Sequence, residues 1–339
     1  MLFRLKIVYS SRNIGHCRWV AINELLPAYT VFDTAIGKRI QGVFEYVVGP
    51  RPRRPAKAGT AFQTVGWISA AKAMTDLNLI EPSPVVVQDI RGLEELTLNT
   101  SPCLNQRLYD GWVLRASGTD TRRANSVTAL YPSLLPSQEK ILACEAWYRL
   151  QGQAAIFRLT DALAPEGLDG MLAQRGYRRE VETFVMTADL FSLPALDNDA
   201  MNGFRVIERS AAEGSADLHR LKGTPAPFVE RDTKRQSLWK GEQAFLAIEQ
   251  DGDIQCCGMA RRDGDHVGIF SMYTAENQRG KGFATRLVGR LAEWGKARGA
   301  HTAFLQVDVA NQPAVRVYKK VGFKPRYRYW HRIQPANTA

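Results

Sequence analysis

The sequence predicts an α/β protein made of two tandem copies of one strand-and-helix unit behind a small basic N-terminal extension. Three observations carry this reading. The 339-residue chain exceeds one ordinary compact core and suits two or three. Its order of apolar strands and amphipathic helices runs through twice. Matching residues recur in register about 147 positions apart. The expected boundaries are residues 1–80 for the extension, 85–191 for the first unit and 203–332 for the second.

The extension has strand-like stretches at Leu5 to Tyr9 and Val43 to Val48. Its Pro/Arg/Gly-rich segment, Gly49 to Gly59, cannot lie inside a helix or a central strand. Residues 1–73 hold a net charge of +8 out of the chain's +11. An appended module, a partly disordered basic arm and an extension upstream of a start at Met74 all remain open. Because the rest of the chain is near neutral, nucleic acid is not the expected partner.

The first unit reads as a helix (Ile90 to Leu98), strands at Gly111 to Ala116 and Asn125 to Leu130 joined by the polar turn Ser117 to Arg123, and a helix from an N-cap near Ser137 to Leu150. A strand (Ala155 to Leu159), a helix (Gly167 to Gln174) stopped by Gly176, and a strand (Glu182 to Thr187) complete it. After a Pro/Asp/Asn-rich linker, Ser192 to Asn202, the second unit follows with a strand at Phe204 to Ile207 and helices at Ala211 to Leu221 and Phe228 to Trp239. Three strands come next, Ala244 to Glu249, Gln255 to Arg261 and Val267 to Tyr273, then the helix Thr285 to Arg298.

Trp147, Gly152 and Phe157 recur as Trp294, Gly299 and Phe304, and Gly176-Tyr177 recurs as Gly322-Phe323. One aromatic match is common by chance, whereas three in register indicate a repeat. The chain is then a pseudo-dimer, and its oligomeric state stays open.

No apolar run approaches the ~18 residues that cross a bilayer, and Arg4 and Lys6 interrupt any secretory core. The expectation is a cytoplasmic protein with no membrane partner, although the acid-free start to Asn23 loosely resembles a transit peptide. The five cysteines form no CxxC and the five histidines no HxxxH, so no metal is expected. Cys256 and Cys257, adjacent on a strand, should leave opposite faces and serve packing.

The chemistry begins at Arg279-Gly280-Lys281-Gly282-Phe283-Ala284, a glycine-rich turn between a strand and a helix. The first helical N–H groups have no partner there and the helix dipole favours an anion. Arg279 and Lys281 add countercharge. Arg279-x-x-Gly282-x-Ala284 resembles the Q/R-x-x-G-x-G/A signature of the GCN5-related N-acetyltransferase superfamily. Leu305-Gln306-Val307, then Asn311 to Tyr318, then Gly322-Phe323 resemble that superfamily's second motif in order and spacing. The resemblance covers about residues 203–332.

It implies a mixed, mostly antiparallel, splayed sheet flanked by helices, with acetyl-CoA as co-substrate and an amine as acceptor. Backbone at Met272, Tyr273 and Thr274 would pair with the pantetheine arm. Arg279, Gly280, Lys281, Gly282, Phe283, Ala284 and Thr285 would hold the diphosphate, and Asn311 would touch the cofactor. Direct attack through a tetrahedral intermediate needs a neutral amine, an oxyanion donor and a proton for the thiolate. Tyr318 is the expected proton donor and a backbone N–H near Met272 or Tyr273 the oxyanion donor. Asp308 is the first candidate base and Glu276 the second, with Glu230 and Glu242 as amine contacts.

Shifting the turn back by the repeat lands on Tyr131 to Ser137, which has two prolines and no glycine. The first unit is therefore expected to be a degenerate copy, with Trp112, Arg122 and Arg123 as a wall of the substrate cleft or as ordinary core and surface. The expected function is acetyl transfer to a small-molecule amine. The alternatives are a protein or peptide amine, or a non-catalytic acetyl-CoA-binding module.

Overall fold

The computed structural model describes residues 4–8, 43–47, 84–194 and 203–335. The segment Gly49 to Gly59, Met74 and most of the linker lie outside the described residues. Two compact units result, Met1–Asp76 and Leu77–Ala339. In the first, β1 (Arg4–Val8) and β2 (Val43–Val47) pair antiparallel, with Arg4 opposite Val47.

The second unit opens on α1 (Pro84–Thr100), β3 (Asn105–Tyr109), β4 (Trp112–Ala116), β5 (Val127–Ala129), α2 (Ser137–Leu150), β6 (Ile156–Thr160), α3 (Leu168–Gln174) and β7 (Arg178–Asp189). Its later half holds β8 (Arg205–Arg209), α4 (Ala211–Lys222), α5 (Ala226–Gln236), β9 (Gln243–Gln250), β10 (Asp253–Asp263), β11 (His266–Thr274), α6 (Phe283–Lys296), β12 (Thr302–Asp308), α7 (Gln312–Val321) and β13 (Lys324–Ile333). The run β-β-β-α-β-α-β therefore occurs in both halves. β3 is an addition to the sequence reading. Its residues Asn105 to Leu108 are exposed, so an edge strand without an alternating apolar face left no period to detect.

The halves do not keep separate sheets. One 11-stranded sheet runs in the order β3-β4-β5-β6-β13-β7-β12-β11-β10-β9-β8, mixed and mostly antiparallel. The last strand of each half has crossed to the other: β13 pairs with β6, and β7 pairs with β12. Two otherwise open inner edges are satisfied by this exchange. Side chains cross with the strands. Met186 of β7 is buried among Leu287, Leu291 and Phe323 of the later half, while Trp330 of β13 is buried with Trp112, Tyr148 and Phe157 of the earlier one.

Several local expectations shift. Pro136 takes the cap position of α2, with Ser137 the first helical residue and no side-chain cap. A full capping box stands instead at α4, where Glu213 N–H donates to Ser210 Oγ and Ser210 N–H donates to Glu213 Oε2. α6 starts at Phe283, two residues before the expected Thr285. Cys256 and Cys257 pack into different clusters on opposite faces, and burial pushes their thiols up to about 11 and about 12. Trp112 is fully buried, with its ring edge against Phe157, so it is core and no cleft wall.

Candidate active site

The parallel strands β11 and β12 pair only over His266–Ile269 and Thr302–Leu305. Beyond that point β11 bulges: Met259 faces Phe270 and Cys257 faces Tyr273, so Gly258 stands opposite both Ser271 and Met272. Ser271 sits at φ 55°, a left-handed conformation that costs a non-glycine residue about 1–3 kcal/mol. A Cβ at Gly258 would lie 2.3 Å from Met272 Sδ, so any larger residue there would have to displace the Met272 side chain. The backbone of Ser271, Met272 and Tyr273 is left facing a gap with no strand on its β12 side.

The glycine-rich turn follows. Gly280 and Gly282 both have φ of 81°, Gly282 caps α6, and no acid lies in the helix's first turn. No side chain caps the helix start, a Cβ at Gly280 or Gly282 would meet nothing within 4 Å, and the flank is cationic. Lys281 Nζ donates to Gln278 Oε1 at 2.6 Å, and the Arg279 guanidinium lies 3.4 Å from Glu276 and 5.9 Å from the Tyr273 ring. These residues fit an anionic diphosphate by conformation, by donor supply and by charge.

Tyr318 lies on α7, buried, with its ring edge toward Phe323. Burial pushes its phenol up to about 12, with the nearby Cys256 thiol adding to the rise and the charge of Arg123 opposing it. Asn311 caps α7, its Oδ1 accepting from Ala314 N–H at 3.2 Å. Asp308 is exposed at the end of β12, where its Oδ1 accepts from Ala310 N–H. Glu276 is a surface residue tied to Arg279, Glu242 pairs with Arg262 at 2.7 Å, and Glu230 is exposed.

A cavity of about 360 Å³ opens beside the bulge, between the halves. Arg122 and Arg123 of the earlier half line it, with Ser271 to Tyr273 of β11, His331 of β13, and His219 and Asp232 of the helix pair α4–α5. Neither Asp308 nor Glu276 borders it. His219 Nε2 stands 3.3 Å from Asp232 Oδ2, both buried. Burial pushes the Asp232 carboxyl up, but His219 and Arg235 outweigh it and hold the group well below the usual carboxylate range. Sequence reading missed this pair because its members lie on successive helices with no local motif.

At the counterpart of the glycine turn in the earlier half, the donors are already taken. Leu134 N–H and Leu135 N–H donate to the Asp110 carboxylate at 3.0 and 2.9 Å, and Lys140 Nζ lies 3.1 Å from it. Among the described residues no cluster of His, Cys, Asp and Glu suits a metal ion, and no helix is long and apolar enough to cross a membrane.

Comparison with known proteins identifies the family. A family model described as "Probable histone acetyltransferase Rv0428c C-terminal" matches residues 87–332. The "Uncharacterized N-acetyltransferase YobR" of Bacillus subtilis is 29% identical over 252 residues, spanning 73% of this chain and 100% of that protein. An "Aminoglycoside N(6')-acetyltransferase type 1" of Serratia marcescens is 36% identical over 89 residues, covering 24% of this chain and 61% of its own length. A solved "GCN5-related N-acetyltransferase from Kribbella flavida" superposes with a TM-score of 0.57 at 16% identity, covering 76% of this chain and 98% of that one, and speaks for the fold. Glycine turn, fold and a family match across most of the chain coincide, and the protein belongs to that family of GCN5-related N-acetyltransferases and is an acyltransferase.

Proposed function

We propose that the protein transfers an acetyl group from acetyl-CoA to a primary amine of a small molecule, using one cofactor site in the later half and a cavity shared by both halves. The observation that carries this reading is that Met272 at the bulged strand end, Phe283 at the helix start behind the glycine turn and the Tyr318 side chain pack in one cluster. In this reading the pantetheine arm pairs with the backbone of Met272, Tyr273 and Thr274. The diphosphate rests on the turn from Arg279 to Ala284 and on Thr285. Asn311 offers its Nδ2 to the cofactor while its Oδ1 caps α7.

His219, with its Nε2 3.3 Å from the Asp232 carboxylate, takes the proton of the attacking amine, the role first expected of Asp308 or Glu276. A backbone N–H at Met272 or Tyr273 receives the oxyanion. Tyr318 donates to the departing thiolate. Its raised pKa keeps the proton in place until that charge develops, and the same burial raises the basicity of a thiolate formed beside it.

The earlier half is read as a second copy of the unit whose cofactor site is closed, since the Asp110 carboxylate fills the donors at its counterpart turn. The family's description favours a second acceptor, a protein lysine. The cavity is lined by four cations, Arg122, Arg123, Lys222 and Arg235, against two acids, Asp120 and Asp232, and this net positive charge disfavours a lysine-rich tail and favours the small molecule.

Acetyl transfer onto pooled amines and peptides, followed by mass spectrometry, identifies the acceptor. With it, Tyr318→Phe should lower kcat about 100-fold with little change in the acetyl-CoA KM. Full turnover by this variant would remove Tyr318 from the mechanism.

A further inference from the structure

The cavity carries more positive charge than a site for a plain amine needs. Three of its four cations are matched: Arg122 to Glu180 at 3.0 Å, Lys222 to Asp120 at 3.1 Å and Arg235 to Asp232 at 2.5 Å. Arg123 is the exception. Among the described residues no carboxylate stands within 4.0 Å of its guanidinium, and its side-chain hydrogen bond is a long one, Nη1 donating to Gln306 Oε1 at 3.5 Å.

The guanidinium is nevertheless held in position. Its Cζ lies 5.8 Å from the Phe270 ring centroid. Gln306 is itself fixed, donating from Nε2 to Thr97 Oγ1 at 2.9 Å and accepting the Tyr329 hydroxyl at 2.9 Å. The nearby Arg158 is neutralised by Glu94 at 2.6 Å, so that pair supplies no acid to Arg123. Burial lowers the Arg123 pKa, yet a guanidinium stays charged at any working pH. A charge in such a place without a counterion is costly unless a ligand provides one.

His331 is the second observation. It lines the same cavity, is 3% exposed, and neither ring nitrogen has a hydrogen-bond partner among the described residues. Burial and the charges of Arg158, Arg122 and Arg123 push its imidazole down to about 3, so it is neutral and carries one N–H donor. An orphaned N–H and an unmatched guanidinium lining one cavity form a donor set for a planar anion with two oxygens. Phosphate would suit an exposed turn, but this recess of about 360 Å³ also has to admit an amine to the bulge at Ser271.

We infer that Arg123 and His331 form a carboxylate subsite, and that the acceptor is an amino acid or another small amine bearing a carboxylate. This rests on the acetyltransferase reading for the meaning of the bound molecule, and its test is chosen to be separable from that reading. The earlier half then has a direct part in acceptor selection through one side chain.

N-acetyl amino acids, the products on this reading, and their primary amides are titrated into the full-length protein with CoA present, by calorimetry. At least one acid of the panel should bind about 100-fold more tightly than its amide. Arg123→Gln should abolish that preference while CoA and amide binding stay within about twofold, and Arg122→Gln should retain it. Because Arg123→Gln removes an unmatched charge, its Tm should not fall, and Arg123→Lys provides a second variant with partial preference. Equal binding of acids and amides across the panel, or equal weakening of both by Arg123→Gln, overturns the inference. Acid-selective binding without acetyl transfer to any amine would remove the acetyltransferase reading and keep the subsite. Transfer without preference for a carboxylate does the reverse.

Discussion

His331 shows how a single residue records its surroundings. Its folded-state imidazole stays unprotonated down to about 3, whereas in the unfolded chain it takes a proton below about 6.5. Between those values the unfolded state binds more protons, so this residue's share of stability falls as pH falls. From pH 6.5 to pH 5 the wild-type protein should lose roughly 1–2 kcal/mol more than His331→Phe does. Urea denaturation of both proteins at the two pH values measures the difference. An equal loss in both would mean that His331 is solvated in solution. Ser271 makes a complementary point about backbone: its left-handed φ is tolerated where the strand must bulge, and the strain coincides with the gap assigned to catalysis.

At the scale of elements, the glycine turn and its counterpart hold different local structures at the same place in the topology. Gly282, the N-cap residue of α6 at φ 81°, offers no side-chain cap, while Asp110 occupies the donors ahead of α2. A Cβ at Gly282 would meet nothing within 4 Å, so conformation alone demands the glycine. Placing an L-residue there costs about 1–2 kcal/mol. Gly282→Ala is therefore expected to raise the acetyl-CoA KM about tenfold with the acceptor KM nearly unchanged, as initial-rate kinetics would show. A parallel rise in both would indicate that the turn serves only folding. The helix pair α4–α5 acts at this scale too, since its packing sets His219 against Asp232 at the cavity wall.

For the whole of the unit Leu77–Ala339, the exchange of β7 and β13 makes the two halves one cooperative body. Each core contains side chains from the other half, so neither can keep its packing alone. Calorimetric unfolding of this unit should give one transition, with van't Hoff and calorimetric enthalpies equal. Removing residues 324–339 should disrupt both halves together and lose native near-ultraviolet signal from Trp112 and Trp147 as well as from the later half. Two resolved transitions would show that the halves fold independently. The cavity belongs to this scale as well, because Arg123 and Ser271 reach it from different halves.

Much of this architecture was legible in the sequence because it rests on local rules. Periodicity located most strands and helices within a few residues. The offset of Trp147, Gly152 and Phe157 from Trp294, Gly299 and Phe304 exposed the repeated order, and the glycine spacing marked the turn ahead of α6. Conformational preference and side-chain period are properties of short segments, so they survive without tertiary context. Strand exchange, the bulge at Ser271, the His219–Asp232 contact and the unmatched guanidinium of Arg123 were decided only by the tertiary structure. Each depends on residues far apart in the chain, and on burial that changes what a charge or a ring nitrogen costs. The sequence by itself determined most of the elements, the glycine turn ahead of α6 and Tyr318 as a candidate. Packing across the two halves decided which side chains share the cavity, since pairing and desolvation arise only when distant surfaces meet.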